Sequence, residues 1–331
     1  MKPFTYVNPT NEKDAVAALS AEYEKALPLG GGQDLLARMK DYITQPDRIV
    51  NVKNALDHAV TPLNGGLRIG AAMKMIDLAE HADIGRLYPA VAAAAIEVGT
   101  PQIRNQGTVG GNLNQRPRCW YFRNEEFLCF KKGGNTCFSP AGENQFHAIF
   151  GGGPTFIVHP SSLAVPFVAH NATFRLLGPK GERLVPAAEY FTKPTLQNVQ
   201  RENVLEPNEL LTHVILPAPG PPGSVKSGHY EVRYKTSHDW PIAFATVLLT
   251  MNGSTVRSAR VVMGAVAPTP WRSTAAEQAL TGKTLSQETA TAAAEAALRG
   301  ATPLSQNAYK IQVAKTAVER AILRAGGLPI V

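Results

Sequence analysis

Long apolar runs are what this sequence most plainly lacks: none approaches the roughly 18 residues that a membrane-spanning helix needs. The opening residues, Met1-Lys-Pro-Phe-Thr-Tyr6, have no apolar signal core either, so neither a membrane span nor a cleaved leader is expected, and any export has to be carried by something else. Cysteine is scarce, with 3 in 331 residues, which is too few for a disulfide framework. The formal charge is +7, yet the basic residues are scattered and no Lys/Arg block is interleaved with aromatics, so nucleic acid is not an expected partner. Two nucleotide-binding signatures are missing as well. The G-x-G-x-x-G spacing of a Rossmann unit is absent from the glycine clusters, and no P-loop lysine follows them.

What is present starts with a polar, glycine-rich stretch, Thr100-Pro-Gln-Ile-Arg-Asn-Gln-Gly-Thr-Val-Gly-Gly-Asn-Leu113. Gly107, Gly110 and Gly111 let the main chain take positive φ and let another group approach it closely. Thr108, Asn112 and Asn114 set short polar side chains beside N–H groups that could hold an anion or a polar cofactor. A second cluster, Pro28-Leu-Gly-Gly-Gly-Gln-Asp-Leu-Leu36, leads into the helix-forming Ala37-Arg-Met-Lys40, and its consecutive glycines leave N–H groups on which a phosphate could rest.

The length suits two domains, or three, each with its own core. Residues 1 to about 57 read as a small α/β unit: an edge strand at 4–9, a helix from Glu12 capped by Asn11, a strand at 27–29, a helix from Leu35 and a buried strand at 48–52. A strand at 67–71 and helices at 76–80 and 89–98 continue from 58 to about 113. Between 114 and 153 the periodicity stops, in a segment that holds Cys119, Cys129 and Cys137 among several aromatics; loops of that length inside a compact domain are functional or disordered, and the aromatics argue against disorder. Beyond it come a stretch at 156–160, a helix at 163–169 and a strand at 172–177. The Pro/Gly-dense segment 217–223 reads as a linker. Strands at 229–234, 243–251 and 260–266, then helices at 274–280, 287–298 and 307–324, suggest an α+β C-terminal domain.

Four motifs in order, Gly30-Gly-Gly-Gln-Asp-Leu-Leu36, Leu67-Arg-Ile-Gly-Ala71, Gln102-Ile-Arg-Asn-Gln-Gly-Thr-Val-Gly-Gly-Asn112 and Gly264-Ala-Val-Ala-Pro-Thr-Pro-Trp-Arg272, span nearly the whole chain. Together they resemble the FAD-binding medium subunit of the xanthine dehydrogenase and carbon monoxide dehydrogenase family, the molybdenum hydroxylases. The resemblance implies an α+β fold: a two-lobed FAD-binding domain of the vanillyl-alcohol-oxidase (PCMH) type over residues 1–219, with lobes at about 1–57 and 58–216, and then a smaller C-terminal domain of the CO dehydrogenase flavoprotein type over 224–331. The cysteine-bearing insertion is similar to that of periplasmic aldehyde oxidoreductases and 4-hydroxybenzoyl-CoA reductases, whose flavin subunit carries an additional [4Fe-4S] cluster. Cys119, Cys129 and Cys137 match three of its four ligands, and Thr155 stands where the fourth cysteine falls. Three thiolates can hold a [3Fe-4S] cluster, or a [4Fe-4S] cluster whose last iron takes another ligand, with His147 a candidate. Loss of the cluster, leaving thiols packed as small hydrophobes, is the competing reading.

For the flavin, the resemblance assigns Leu29, Gly30, Gly31, Gly32, Gln33, Asp34 and Leu35 to the diphosphate and ribityl region, and Thr108, Gly110, Gly111 and Asn112 to a second anion-holding turn. Gln33 replaces the usual Thr, Ser162 a usual Asp, and Lys235 aligns with a lysine near the flavin. No histidine lies in 28–36, so the FAD is expected to be non-covalent. The function implied is an electron-transfer oxidoreductase subunit: a large partner binds the molybdopterin cofactor and oxidises the substrate, a small partner carries [2Fe-2S] centres, and FAD here passes electrons to an external acceptor. Aldehyde oxidation is the preferred reaction, in the cytoplasm or in the periplasm by co-export with a signal-bearing partner. A stand-alone FAD oxidase or dehydrogenase is the alternative; a non-catalytic scaffold or nucleic-acid binder is the third reading.

Overall fold

A computed structural model describes residues 1–221, 223–235 and 238–330. Pro222 of the linker, Thr236 and Ser237 of the 234–240 stretch and Val331 at the chain's end lie outside the described residues. The first sheet is parallel, with β1 (Thr5–Val7), β2 (Ala26–Leu29) and β3 (Arg48–Asn51) in the order β1-β3-β2. Parallel neighbours need a crossover between them. Helices Glu12–Ala17 and Leu35–Lys40 are those crossovers, and the Asn11 side chain accepts the Asp14 N–H at 2.9 Å, as its capping position requires.

The second sheet is antiparallel: β4 (Val60–Leu63), β5 (Gly66–Gly70), β6 (Thr173–Gly178), β7 (Gly181–Pro186) and β8 (Leu210–Leu216), ordered β4-β5-β8-β6-β7. Strand β8 inserts between β5 and β6 and is buried along almost its whole length. Burial of both faces, polar Thr212 and His213 included, removes the two-residue alternation that marks a half-exposed strand. Helix Pro89–Ile96 buries Val91, Ala94 and Ala95 in the same core, where the small side chains allow a close approach.

The third sheet is antiparallel, in the order β12-β11-β10-β9, from β9 (Val225–Val232), β10 (Ala243–Asn252), β11 (Thr255–Gly264) and β12 (Trp271–Arg272). Helices Thr274–Leu280, Gln287–Ala297 and Tyr309–Gly326 contribute to the core of this part of the chain. Phe244, Val262 and Ala265 reach instead into the core built around the second sheet, so the two units share apolar contact.

The segment at 114–153 is anchored at both ends. A short helix, Trp120–Arg123, and a 3-10 turn, Phe130–Lys132, give it local structure. Near its end, the N–H groups of Ile149 and Phe150 both donate to the Val266 carbonyl, at 2.9 and 3.0 Å. The buried ammonium of Lys310, on the last helix, donates to the carbonyls of Phe146, His147 and Ala265 at 3.1, 3.0 and 2.7 Å, and burial pushes its pKa down to about 7.

Gly228 of β9 lies where the last helix crosses: a Cβ there would fall on the Ala321 carbonyl and 2.5 Å from the Ala325 nitrogen. Overpacking of this kind costs about 1–3 kcal/mol. Gly228→Ala is therefore expected to lower the thermal midpoint of the purified protein by several degrees, whereas Gly253→Ala, with only open space around its Cβ but a positive φ of 59°, should cost less; equal melting points for the two variants would contradict the packing argument.

Candidate functional site

The two glycine stretches are far apart in sequence and touch in space. A Cβ on Gly31 would fall on the Gln106 carbonyl and 2.7 Å from the Gly107 Cα, and one on Gly30 would lie 2.6 Å from the Thr108 Oγ1. Only glycine lets two main chains approach this closely. Within the second stretch, Gly110 approaches the Ala71 backbone in the same way, with a Cβ 3.1 Å from the Ala71 oxygen. The reading of Gly107, Gly110 and Gly111 as positive-φ positions is corrected here: none of them has positive φ, because the stretch forms two short helices, Pro101–Gln106 and Val109–Leu113, joined at Gly107. In the first cluster Gly32 alone has the left-handed conformation, at φ 76°.

The two bends also differ in what their N–H groups do. Gly110 N–H donates to the Ala71 carbonyl at 2.8 Å, Asn112 N–H to the Thr108 carbonyl at 2.8 Å, and Gly111 N–H to the Thr108 Oγ1 at 3.1 Å, so the donors of this bend are already spent within the protein. The amides of residues 30–35, by contrast, meet no acceptor among the described residues. A row of unpaired N–H groups running into a helix is an anion cradle.

Both bends line one cleft of 430 Å³. Gly30, Gly31, Gly32, Gln33, Asp34 and Leu35 lie on one side, with Thr108, Gly110, Gly111, Asn112 and Ser162 also on its walls. Leu29 sits at the end of β2, leading into the cradle, and Lys235 is exposed outside the cleft, its N–H donating to Asp239 at 3.2 Å. The loop of Lys235 reaches the cleft through His238, Asp239, Trp240 and Pro241 instead. Ser162 makes no side-chain hydrogen bond among the described residues, whereas its neighbour Ser161 donates to Asn112 Oδ1 at 2.6 Å and accepts the Ala164 N–H at 3.1 Å.

Charged residues unmentioned by the motifs close one side of the cleft. Asp34 pairs with Arg118 at 2.8 Å, Arg123 at 2.6 Å and Arg38 at 3.2 Å; burial alone would raise its carboxyl pKa, and the three guanidinium groups outweigh burial and hold it below the ordinary value. Arg116, fully buried, reaches Glu202 at 2.7 Å and Glu24 at 2.8 Å, and Lys131 meets the other Glu202 oxygen at 2.7 Å. Burial works against the Glu202 charge as well, and Arg116 and Lys131 keep it ionised. The sequence signal was available: four basic residues, Arg116, Arg118, Arg123 and Lys131, sit within or beside the cysteine segment.

Cys119 and Cys137 are half-buried and Cys129 is buried, all as free thiols. Burial pushes the Cys119 thiol up to about 11, against the pull of the Phe122 and Tyr121 N–H groups that point at its sulfur. Burial also raises Cys129, whose sulfur receives the Lys131 N–H. His147 Nε2 lies 3.2 Å from Cys119 Sγ, and Cys137 Sγ lies 3.2 Å from Ser139 Oγ. Among the described residues no group of three or more His, Cys, Asp or Glu side chains is disposed to hold a single metal ion. The sulfurs are nonetheless near one another: besides burial, Cys137 and Cys129 both disfavour ionisation of Cys119, and Cys137 that of Cys129. Thr155 Oγ1 is buried without a partner.

Among the described residues no helix is long and apolar enough to cross a membrane. Residues 2–219 match the family model described as the FAD binding domain in molybdopterin dehydrogenase, and residues 228–325 that of the CO dehydrogenase flavoprotein C-terminal domain. The chain is 33% identical over 320 residues to the aldehyde oxidoreductase FAD-binding subunit PaoB of Escherichia coli K12, covering 95% of this chain and 96% of that one. It is 28% identical to the carbon monoxide dehydrogenase medium chain of Hydrogenophaga pseudoflava, over 96% of each. In structure it is similar to a chain of carbon monoxide dehydrogenase from Hydrogenophaga pseudoflava, in a form lacking the Mo-pyranopterin moiety of the molybdenum cofactor, with a TM-score of 0.76, 28% identity and 98% of both chains covered.

Three histidines beside these elements, His147, His159 and His170, are driven by burial from 6.5 down to about 4 and are neutral in the folded protein. Between those two values the unfolded chain binds protons that the folded chain does not, so their contribution is fully present above pH 6.5 and is lost as pH falls towards 4. The thermal midpoint is expected to be flat near pH 7.5 and to fall steadily from 6.5 to 4.5. His159→Gln should flatten that slope by about 1.4 kcal/mol per pH unit, one proton's share; an unchanged slope would show that His159 is not buried neutral.

Proposed function

The chain belongs to the FAD-binding family of the molybdopterin dehydrogenases, and from that footing we propose that it is the FAD-binding electron-transfer subunit of a heterotrimeric molybdenum hydroxylase that oxidises aldehydes. The observation that carries this reading is the row of unpaired amides at residues 30–35, beside a cleft that the second glycine bend also lines. Those amides take the diphosphate of FAD, Gln33 and Ser162 offer polar groups towards the ribityl chain, and Thr108, Gly110, Gly111 and Asn112 hold the cradle in shape. Lys235, exposed outside the cleft, belongs to the stretch that lines it through His238, Asp239, Trp240 and Pro241, and in this reading it approaches the flavin from there. Bound FAD supplies reversible one- and two-electron chemistry, and the protein supplies its position and surroundings.

The relay is favoured over a stand-alone oxidase by the state of the carboxylates. A substrate base has to be free to take a proton. Every Asp or Glu lining the cleft is engaged: Glu24, Asp34, Glu202, Glu206 and Glu209 with arginines, Glu97 with Arg233 at 2.6 Å, and Asp239 with backbone N–H groups. Substrate oxidation then falls to a large molybdopterin-binding partner, with [2Fe-2S] centres on a small partner feeding this subunit and an external acceptor receiving the electrons. Either cytoplasm or periplasm suits such a complex.

Cys119, Cys129 and Cys137 hold an iron–sulfur cluster, [4Fe-4S] or [3Fe-4S], in this reading. The fit rests on two sulfurs that already receive backbone N–H groups, the arrangement that stabilises cluster thiolates, and on a cluster holding its thiolates farther apart than a single ion would. Thr155 leaves one ligand position to an oxygen, a nitrogen or no protein atom.

A tagged chain is expected to co-purify with a molybdenum-bearing large subunit and to show flavin absorption; a native complex without molybdenum would remove the hydroxylase reading. Gly31→Ala, which forces the two bends apart, should come through purification with most of its FAD lost, as read from the flavin band per protein. Cys129→Ser should lose iron and acid-labile sulfide while keeping its flavin, and unchanged iron would remove the cluster alone.

A further inference from the structure

Cys119 and His147 share the wall of a smaller chamber, of 190 Å³, beside the flavin cleft. His147 Nε2 stands 3.2 Å from the Cys119 sulfur, and this ring is the side-chain hydrogen-bond partner of Cys119 among the described residues. The backbone that carries the ring is held in place. Its carbonyl accepts from Lys310 Nζ at 3.0 Å and from Asn307 Nδ2 at 3.1 Å, both in the C-terminal domain, and its N–H donates to the Asn144 carbonyl at 3.0 Å. His147 is 5% exposed, and its ring lies 6.3 Å from that of Tyr121, whose N–H points at the same sulfur.

The distance decides between the two roles open to this ring. Atoms that bind different irons of one cluster stand well beyond hydrogen-bonding distance, because each points outward from its own corner. At 3.2 Å His147 is a partner of the Cys119 sulfur and not the holder of a further iron. A thiolate that holds iron can only accept, so the ring has to present Nε2–H to it. Nδ1 is the nitrogen that can go without the proton: it is buried with no partner in hydrogen-bonding geometry among the described residues. The Asn144 carbonyl, which draws a proton towards the ring, already accepts the backbone N–H of His147. An N–H donated to a cluster thiolate favours the reduced cluster over the oxidised one, since the reduced form carries one more negative charge.

We propose that His147 is a positioning residue for the iron–sulfur cluster, donating its Nε2–H to the Cys119 thiolate and thereby raising the reduction potential of the cluster. This inference rests on the reading of Cys119, Cys129 and Cys137 as cluster ligands, and it takes His147 out of the ligand set. On reduction the cluster gains one electron and no proton moves; the ring keeps its Nε2–H in both states. Asn307 and Lys310 act one step further out, because they hold the main chain from which the ring reaches the sulfur. The C-terminal domain thus bears on the redox centre without touching it.

The test uses the purified complex. His147→Leu, which removes the donor, should keep the wild-type content of iron, acid-labile sulfide and flavin. In a mediated redox titration followed by low-temperature electron paramagnetic resonance, the ratio of reduced to oxidised cluster at a fixed potential should fall about 10-fold, a shift of about 59 mV to the negative side for a one-electron centre. His147→Gln, which keeps an N–H donor, should recover most of that shift, and the [2Fe-2S] midpoints of the small partner should not move. In the wild-type complex, histidine carrying the heavy nitrogen isotope should show, by electron–nuclear double resonance, only the weak coupling of a hydrogen-bonded nitrogen. A midpoint that stays put in His147→Leu, or moves to the positive side, overturns the proposal. Strong nitrogen coupling in the wild type, with iron lost from both variants, would make His147 an iron ligand and overturn it too. A wild-type complex whose iron is all accounted for by [2Fe-2S] centres would sink the cluster reading and this inference together, leaving flavin binding untouched.

Discussion

The contact between main chain at Gly31 and main chain at Gln106 and Gly107, with Gly30 against the Thr108 side chain beside it, is the constraint on which the rest of the site depends. Two backbones cannot come within this distance if either carries a Cβ at the point of contact. The approach has a second effect. It leaves the amides of residues 30–35 on the concave side, facing away from any carbonyl that could satisfy them, and that unmet hydrogen-bonding capacity is what makes the cleft an anion site rather than a packed crevice. The second bend contributes rigidity, because its own donors are spent on Thr108 and Ala71.

Around that contact the cysteine segment works as a brace between domains. At its start Arg116, Arg118 and Arg123 reach into the first lobe, to Glu24 and Asp34, and Arg116 and Lys131 together neutralise Glu202. Charges this deeply buried stay ionised only in mutual company, and removing any one leaves its partner exposed to the full cost of burial. At its end the segment is held by Lys310 and by the Val266 carbonyl of the C-terminal domain. The thiols are thereby placed on a framework tied at both ends, with Cys119 beside the Arg118 and Trp240 side chains that border the cleft.

The C-terminal domain is more than a cover. His229 and Arg233 both meet Glu231, at 3.1 and 2.6 Å, and Arg233 crosses to Glu97 on the cleft wall at 2.6 Å. The His238–Pro241 stretch then supplies part of the cleft and of the neighbouring chamber. Both cavities are completed only when β9 and β10 are packed against the FAD-binding domain, so the environment of the flavin is a property of the two domains together.

Much of this was legible from residue order. The glycine clusters marked the places of close approach, Asn11 marked a helix start, the alanines of helix Pro89–Ile96 marked tight packing, and the run of strands followed by a run of helices beyond residue 224 marked an α+β unit, because each depends on neighbours within a few positions. Less legible were β8, whose apolar run lacks alternation, and the helical character of the second glycine bend, whose amides are consumed by Ala71 and by Thr108 across the fold. Sequence alone determined that two glycine-rich, polar bends and three clustered thiols exist in an otherwise ordinary apolar framework. Only the tertiary structure decided which bend keeps free amides, which carboxylates are locked by arginine and which histidine meets a thiol, since each of these turns on groups tens to hundreds of residues apart that meet only when the chain is folded.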